Sequence, residues 1–186
     1  LEGDNIYTYD HMGRHMLCTL VQLSDANEDA GHKVAMQVAD MKPVALDEAS
    51  VPESVKEEEL KVAIQKTKEE QVQKAIEAAL KKAGINPAHV DSEEHIESNT
   101  AKGWLTAEQA EQARQIRANV PAEAEAAINM KKVEMIAQGR LGKFLKENTL
   151  VEQAYIMSDA KELVKDILKK NNVQITDFRR VTLNEE

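Results

Sequence analysis

The sequence predicts an α+β fold, in which a small three-stranded antiparallel sheet packs on helices and is interrupted by a long helical arm. Segments rich in β-branched and aromatic residues lie at 5–9, 16–23 and 173–183, towards the two ends of the chain. Between them, residues 55–83 contain neither proline nor glycine and consist mainly of strong helix formers. Aromatic residues make up only 3% of the chain, which favours alanine-rich helix seams over a thick core.

The first part of the predicted lobe is a β-hairpin followed by a helix. Asp10 to Gly13 forms the tight connection of the hairpin, with Gly13 available for positive φ. Asp25-Ala-Asn-Glu28 resembles a capping box, so we expect the helix to begin there. Lys42-Pro43 should end it. The residues at helical spacing that we expect to be buried are Ala30, Val34, Ala35, Val38 and Ala39.

The arm begins with a helix over residues 55–83, which would be a rod of about 45 Å. Gly84 supplies its stop. Its apolar stripe consists of Ile64, Val72, Ala75, Ile76, Ala79, Leu80 and Ala83. Such a stripe needs a partner, and we expect it from a later helix that begins near Pro121 and packs back along it.

Between these two helices we expect irregular chain and one short helix. Residues 85–103 are polar and contain the breaker Asn86-Pro87. Thr106 to Gln109 caps a short helix that Pro121 stops. Gly139 and Gly142 fall inside the returning helix, where glycine is unfavourable, and this predicts close packing against another element.

The chain closes with elements that return to the lobe. An extended piece from Leu150 to Met157 leads to a helix capped by Ser158-Asp159, and the alternating segment 173–183 is the last strand. The predicted domains are therefore a split α+β lobe at 1–51 and 130–186, and an inserted helical arm at 52–129. Because the chain begins at Leu1 with a strand signal almost at once, we interpret it as a piece of a longer protein.

Charge and cysteine content narrow the classes of function. A net charge of −9 argues against direct binding of nucleic acid or of an anionic membrane. No apolar run approaches the ~18–20 residues of a membrane span. A single cysteine excludes an internal disulfide and fits a reducing compartment, so we expect a cytoplasmic protein.

The sequence lacks the common motifs of enzyme active sites, and we expect no catalytic residues, no cofactor and no metal. The sequence has no phosphate-binding glycine loop, nucleophile elbow or metalloprotease motif. His11, His15 and Cys18 could form a metal site or a Cys–His pair, but a fourth ligand is missing. We favour the alternative, a turn histidine and two strand residues, with Cys18 as a small core residue.

Three other side chains in the arm leave alternatives open. His89 and His95 fall in the polar segment, where we expect them to be solvated. Trp104, the only tryptophan, either fastens the tip of the arm or anchors a partner.

Six blocks of residues, in order along the chain, resemble the C-terminal half of the bacterial elongation factor Ts family. They are Leu1-Glu-Gly-Asp4; Tyr9-Asp-His11 with Gly13-Arg14; Val34-Ala-Met-Gln-Val-Ala39 with Lys42-Pro43; Gly139-Arg-Leu-Gly-Lys-Phe144; Leu150-Val-Glu-Gln153 with Tyr155-Ile-Met157; and Phe178-Arg-Arg-Val181. The resemblance implies that the lobe is the C-terminal subdomain of the family's core and that the arm is its inserted coiled coil.

The resemblance also implies a function. The family exchanges guanine nucleotide on the GTPase elongation factor Tu, and its contact positions fall here on His11, Ile156 and Met157. Ile156 and Met157 could instead be core residues beneath the last helix. The resemblance implies a part that mainly docks, because the family's Thr-Asp-Phe-Val signature is expected upstream of Leu1.

Some features depart from the family, and another class of function stays open. The hairpin reads Met12-Gly-Arg-His-Met16 where the family usually has Gly-Gly-Arg-Ile-Gly, and Ala154 stands where proline is common. The arm is longer than usual. A structural module that oligomerises through the arm is the alternative, and a homodimer through arm or sheet is possible.

Overall fold

A computed structural model of the protein describes residues 1–13 and 15–183. Arg14 of the hairpin motif and residues 184–186 at the end of the predicted lobe lie outside the described residues. The chain divides into two compact units, Leu1–Glu58 with Leu141–Glu186, called the lobe here, and Glu59–Arg140, called the arm. That each behaves as a domain, with the limits 51/52 and 129/130 drawn from the sequence, stays a prediction.

The lobe contains the three-stranded antiparallel sheet that the sequence predicted. Its strands are β1 (Ile6–Asp10), β2 (Leu17–Leu23) and β3 (Ile175–Thr182), in the order β1-β2-β3. The register pairs Tyr9 with Thr19 and Thr19 with Arg180. Directly paired residues point to the same face of a sheet, so these three form one cross-strand row. Together with the helices below, the sheet confirms the α+β fold.

Helix α1 (Glu28–Met41) buries the five predicted positions, but its cap differs from the prediction. The N-cap is Asn27, whose side-chain oxygen accepts from the backbone N–H of Ala30 at 3.0 Å. Asp25 lies two residues too early to cap the helix. At the other end Lys42 adopts the left-handed conformation with φ 47°, and the helix stops there as expected.

The approach of α1 to the sheet depends on Gly31. A Cβ atom added at this glycine would lie 2.2 Å from the ring of Tyr7 on β1. The phenol of Tyr7 in turn accepts from the backbone N–H of Asn27 at 2.8 Å. Tyr7 also packs against the core of the lobe, which consists of Val21, Leu23, Ala30, Val34, Ala35, Val38, Leu150, Tyr155, Val164, Leu168, Val173 and Ile175.

The last helix of the lobe starts later than predicted. Helix α6 (Val164–Lys170) is preceded by Leu163, whose N–H donates to the carboxylate of Asp166 at 3.2 Å. Ser158 does not cap it, because its hydroxyl accepts from Ala160 within a local turn. The segment predicted as extended begins with a 3₁₀ turn at Leu150–Glu152.

The four other helices of the described residues are α2 (Glu53–Lys82), α3 (Glu93–Ala101), α4 (Ala107–Ala126) and α5 (Met130–Asn148). Of these, α2 and α5 extend beyond the limits of the arm.

Helix α3 contradicts the prediction of irregular chain at 85–103. Its N-cap is Ser92, whose hydroxyl accepts from the N–H of His95. The capping box of α4 is confirmed, since Thr106 and Gln109 exchange both hydrogen bonds.

Pro121 does not stop α4, contrary to the prediction, because the helix continues to Ala126. The apolar stripe therefore has more than one partner: Ile64 and Ala75 lie beside residues of α5, as predicted for the returning helix. Its end, at Ile76, Leu80 and Ala83, packs with α3 and α4. The buried residues of this cluster are Leu80, Ile85, Val90, Ile96, Leu105, Ala110 and Ala113.

The explanation predicted for the two glycines of α5 is wrong. A Cβ atom added at Gly139 or at Gly142 would meet no atom within 4 Å, so neither supports a close approach. The glycine with that role is Gly31. Within the described residues no helix is long and apolar enough to cross a bilayer.

Candidate partner-binding surface

His11 begins a 3₁₀ turn, His11–Gly13, directly after β1. It is half-buried rather than free at the tip of the hairpin. The hydroxyl of Tyr9 lies 3.4 Å from His11 Nδ1, and the two rings meet edge to face with centroids 5.9 Å apart. The Tyr9 ring makes a second edge contact with His32 of α1, at 5.7 Å. Met12 is the residue that projects, being 72% exposed.

Ile156 and Met157 lie side by side on the surface of the lobe. Their exposed fractions are 37% and 45%, so the core interpretation of these residues is wrong. Tyr155, directly before them, is instead buried and belongs to the core. The chain thus places one large side chain inward and the next two outward.

A buried glutamine holds the backbone of this segment. Gln37 of α1 is fully buried, and its side-chain oxygen accepts from the N–H of Ile156 at 2.9 Å. Its amide nitrogen donates to the carbonyl of Ala154 at 3.0 Å. These two bonds bracket Tyr155 and pin the segment to the helix, because a buried amide that loses its partners is unfavourable.

A second buried glutamine continues the network. Gln153 Oε1 accepts from Gln37 at 3.3 Å, and Gln153 Nε2 donates to the carbonyls of Glu147 at 3.0 Å and Met41 at 3.3 Å. The sequence interpretation gave neither glutamine a role. The available signal was Gln37 itself, a polar residue within the apolar face of α1.

Helix α1 therefore supports two of the three predicted contact residues directly, His11 and Ile156, and Met157 follows Ile156 in the chain. Through His32 it touches the Tyr9 ring that holds His11, and through Gln37 it fixes the backbone at Ile156. The three residues form two clusters, with His11 beside Tyr9 and with Ile156 next to Met157. That they bind a partner stays a prediction.

Two pKa shifts accompany this part of the lobe. Burial raises the pKa of the Tyr155 phenol. A hydrogen bond from Lys33 Nζ to the carboxylate of Asp29, 3.0 Å long, raises the pKa of that lysine, and the charge of Asp29 adds to the effect. At neutral pH the phenol is thus protonated and the lysine charged.

His15 and Cys18 both lie beside the carboxylate of Asp10, whereas His11 lies against Tyr9. His15 Nδ1 pairs with Asp10 Oδ2 at 2.6 Å, whereas His11 faces Tyr9. Cys18 Sγ lies 3.9 Å from Asp10 Oδ1, a weak contact at most. Over residues 1–13 and 15–183, no group of three or more histidine, cysteine, aspartate or glutamate side chains is placed to hold a metal ion.

In the arm, Trp104 lies on the surface and is 60% exposed. Its ring centroid is 5.4 Å from that of His89, and Lys102 Nζ lies 5.1 Å from the ring. His95 is exposed on α3 and pairs with Asp91, whose pKa this hydrogen bond lowers. The buried cluster of the arm forms without Trp104.

Thr176-Asp-Phe178 has the same sequence as the first three residues of the Thr-Asp-Phe-Val signature. In this chain, however, the tripeptide lies inside β3. Phe178 packs against the core, and Asp177 accepts from the N–H of Phe178 at 2.8 Å and from Arg179 at 2.7 Å. This pair is thus engaged within the lobe rather than projecting as a wedge.

Comparison with known proteins gives one consistent result. A sequence model described as elongation factor Ts matches residues 1–84 and 71–185. The chain is 54% identical to elongation factor Ts of Parabacteroides distasonis and 55% identical to that of Phocaeicola vulgatus, each over 188 residues. It is 53% identical to that of Bacteroides fragilis over 189 residues. Each alignment covers 100% of this chain and 57% of the relative.

The chain thus spans a little over half the length of these curated relatives. The family model covers nearly all of its residues, including both clusters of predicted contact residues and the arm. The chain belongs to the elongation factor Ts family.

Proposed function

We propose that this chain is part of a guanine nucleotide exchange factor, and that its lobe docks onto elongation factor Tu during translation elongation in the cytoplasm. Family membership supports the proposal at the level of the whole protein. The observation that carries it for this chain is the exposed pair Ile156 and Met157 on a backbone fixed by buried glutamines.

An exchange factor needs neither a catalytic acid or base nor a cofactor, and we propose that this protein is not an enzyme. It binds the nucleotide-free GTPase more tightly than the loaded one, and linkage then weakens nucleotide binding by the same factor. Affinity comes from a few well-placed side chains on a rigid support. Pinning of the 154–157 segment lowers the entropy lost on binding. A net charge of −9 favours a protein partner over nucleic acid or membrane.

The docking role is tested by alanine substitution with a matched control. We expect Met157→Ala and His11→Ala each to weaken binding to elongation factor Tu by about 1–2 kcal/mol, measured by calorimetry. Met130→Ala in the arm removes a methionine of similar exposure, 42% against 45%, and should leave the affinity unchanged. If Met157→Ala lowered thermal stability as much as affinity, its contact role would be wrong.

Exchange activity is tested separately from docking. We expect saturating chain to bind elongation factor Tu but barely to accelerate the release of fluorescent GDP. The reason is that the Asp177–Phe178 pair is engaged in β3, so these residues offer no free wedge for the nucleotide site. A ligand that binds both states equally shifts no equilibrium. Acceleration close to that of the full-length factor would refute the division between docking and exchange.

A homodimer through the sheet is a second proposal. Leu20 and Cys18 of β2 and Val181 of β3 alternate with the row that faces α1, so they occupy the opposite face of the sheet. Val181 is exposed there. Val181→Glu should abolish a dimer through this face in sedimentation equilibrium. Persistence of the dimer would favour the arm, and with it the structural-module alternative.

A further inference from the structure

Arg180 of β3 has no acceptor in the part of the chain that the structure describes. Its Nε is buried without a hydrogen-bond partner. The other arginines at described positions are engaged: Arg114 with Glu93, Arg117 with the carbonyl of Val90, Arg140 with Glu70, and Arg179 with Asp177. A half-buried charge without a partner is unfavourable, and an acceptor that arrives from outside relieves it.

The sheet register places Arg180 on the same face as the His11 cluster. Tyr9, Thr19 and Arg180 form one cross-strand row. Thr19 Oγ1 donates to the carbonyl of Ala35 in α1 at 2.6 Å, so this row faces the helix. Tyr9 holds His11. With about 4.8 Å between neighbouring strands, the backbones of β1 and β3 are about 10 Å apart. His11 and Arg180 therefore flank the same end of the sheet.

The surroundings of Arg180 are suited to an interface. Although the chain is acidic, residues 178–183 contain two arginines and no carboxylate. The nearest acidic residue of the hairpin, Asp10, points to the opposite face and is paired with His15. Leu183 donates its N–H to the carbonyl of Met16 at 2.8 Å, and both side chains are exposed at this end. A cation with apolar neighbours is typical of residues that dominate binding energy.

We propose that Arg180 is an anchor of the docking surface and binds a carboxylate of the partner GTPase. The proposal rests on the function proposed above. The Nε is buried, whereas the two terminal nitrogens are not among the buried atoms without a partner. They form a fork that matches the two oxygens of an aspartate or glutamate side chain. The occupant is therefore an acidic side chain on elongation factor Tu.

The test measures binding of elongation factor Tu to the chain by surface plasmon resonance at several salt concentrations. We expect Arg180→Met to weaken binding about 10- to 30-fold, mostly through faster dissociation. Arg180→Lys should lose less, about 3- to 10-fold, since an ammonium keeps the charge but not the fork. Arg180→Met should also reduce the salt dependence of binding.

Arg179→Met is the matched control, because Arg179 is exposed, lies on the opposite face and pairs with Asp177. It should change the affinity less than about twofold. Thermal unfolding separates a contact from a structural role: Arg180→Met should keep or raise the melting temperature, since it removes a buried N–H without a partner.

The outcomes distinguish a failure of the proposed function from a failure of the role assigned to Arg180. If the wild-type chain does not bind elongation factor Tu, the proposed function fails and this inference fails with it. If the wild type binds and Arg180→Met binds equally well, only the role of Arg180 is wrong. A loss of binding that matches a loss of melting temperature would make Arg180 a structural residue and also overturn the proposal.

Discussion

The lobe and the arm are stabilised by different kinds of contact. In the lobe, buried polar side chains connect distant parts of the chain, as Gln37 does with the segment around Ile156. In the arm, the buried cluster is formed by aliphatic side chains and alanines. Its contacts between charged side chains are half-exposed ion pairs such as Glu70 with Arg140 and Glu93 with Arg114. Its buried amide, Asn99, donates to the carbonyl of His89, only ten positions away.

The difference shows which unit is suited to present a surface of defined shape. A buried amide must keep all its partners, so the Gln37 and Gln153 network permits essentially one backbone path at 154–157. Aliphatic seams tolerate exchange of similar side chains, and exposed ion pairs contribute little. We therefore expect substitutions in the lobe to affect binding, and those in the arm to affect mainly the arm itself.

The largest expected effect comes from placing a charge in the arm's cluster. Ile76 packs against the buried residues around Leu80. Ile76→Asp should destabilise the arm by a few kcal/mol, because the carboxylate loses water without gaining a partner. Hydrogen exchange followed by NMR should show early exchange of amides in 59–140 while the strands of the lobe stay protected.

Val62→Asp is the control for that experiment, because Val62 is an exposed residue of the same helix. It should change protection little. If the strands of the lobe opened together with the arm in Ile76→Asp, the two units would be one cooperative structure, and the contrast between them would be lost.

The next effect separates two helical glycines. Gly31→Ala should cost the lobe about 1–3 kcal/mol, because the added methyl group meets the Tyr7 ring and the helix must move away. Gly139→Ala in α5 meets no atom within 4 Å and should stabilise by about 0.5–1 kcal/mol. Urea unfolding of both variants measures this. Equal effects of the two substitutions would mean that close packing at Gly31 does not limit the lobe.

These glycines also show how far the sequence alone could lead. Local patterns predicted the strands, the buried face of α1 and the capping box at Thr106, because each depends on residues within a few positions of one another. The close approach at Gly31 joins α1 to a residue 24 positions earlier, Tyr7, and no local pattern contains it. The two glycines inside α5 were easier to notice in the sequence than Gly31, but close packing against another element was the wrong explanation for them.

The same limit applies to the candidate surface. Exposure of Ile156 and Met157 depends on Gln37, which is 119 positions away in sequence. An apolar pair before a helix is consistent with either core or surface, so the sequence left both open. Helix α3 was missed for a different reason: its apolar content is low, and only Ile96 and the Ser92 cap mark it.

A smaller effect is expected at the start of α4. Thr106→Ala removes the hydroxyl that accepts from Gln109 and should destabilise the arm by about 1 kcal/mol. Thr106→Ser keeps the hydroxyl and serves as the control. Trp104, the only tryptophan, lies two residues away, so its fluorescence in urea reports on this end of the arm. Equal midpoints for Thr106→Ala and the wild type would show that the cap is not needed.

The smallest expected effect is a difference in how the two units respond to pH. In the arm, hydrogen bonds from Arg140 and His95 lower the pKa of Glu70 and Asp91. A carboxyl group whose pKa is lowered by folding adds stability above its unfolded pKa, and this is lost as the pH falls through the lowered value. Acid should therefore weaken the arm, by a small amount because these pairs are exposed.

In the lobe the shifts have the opposite sign, since the pKa values of Tyr155 and Lys33 are raised. Stability from a group with a raised pKa is complete below its unfolded pKa, about 10 for both residues. It is lost as the pH rises through the folded value. Alkaline solution should therefore weaken the lobe while the carboxyl groups of the arm stay charged.

The measurement is urea unfolding followed by NMR amides of each unit at acid, neutral and alkaline pH. Glu70→Gln should reduce the acid response of the arm without changing the lobe, because Glu70 pairs with Arg140 inside the arm. Tyr155→Phe should reduce the alkaline response of the lobe alone, since its phenol is the group whose ionisation burial opposes. If either variant changed the pH response of the other unit, the stability of one unit would depend on ionisable groups in the other. The two units would then differ in their packing but not in their response to pH.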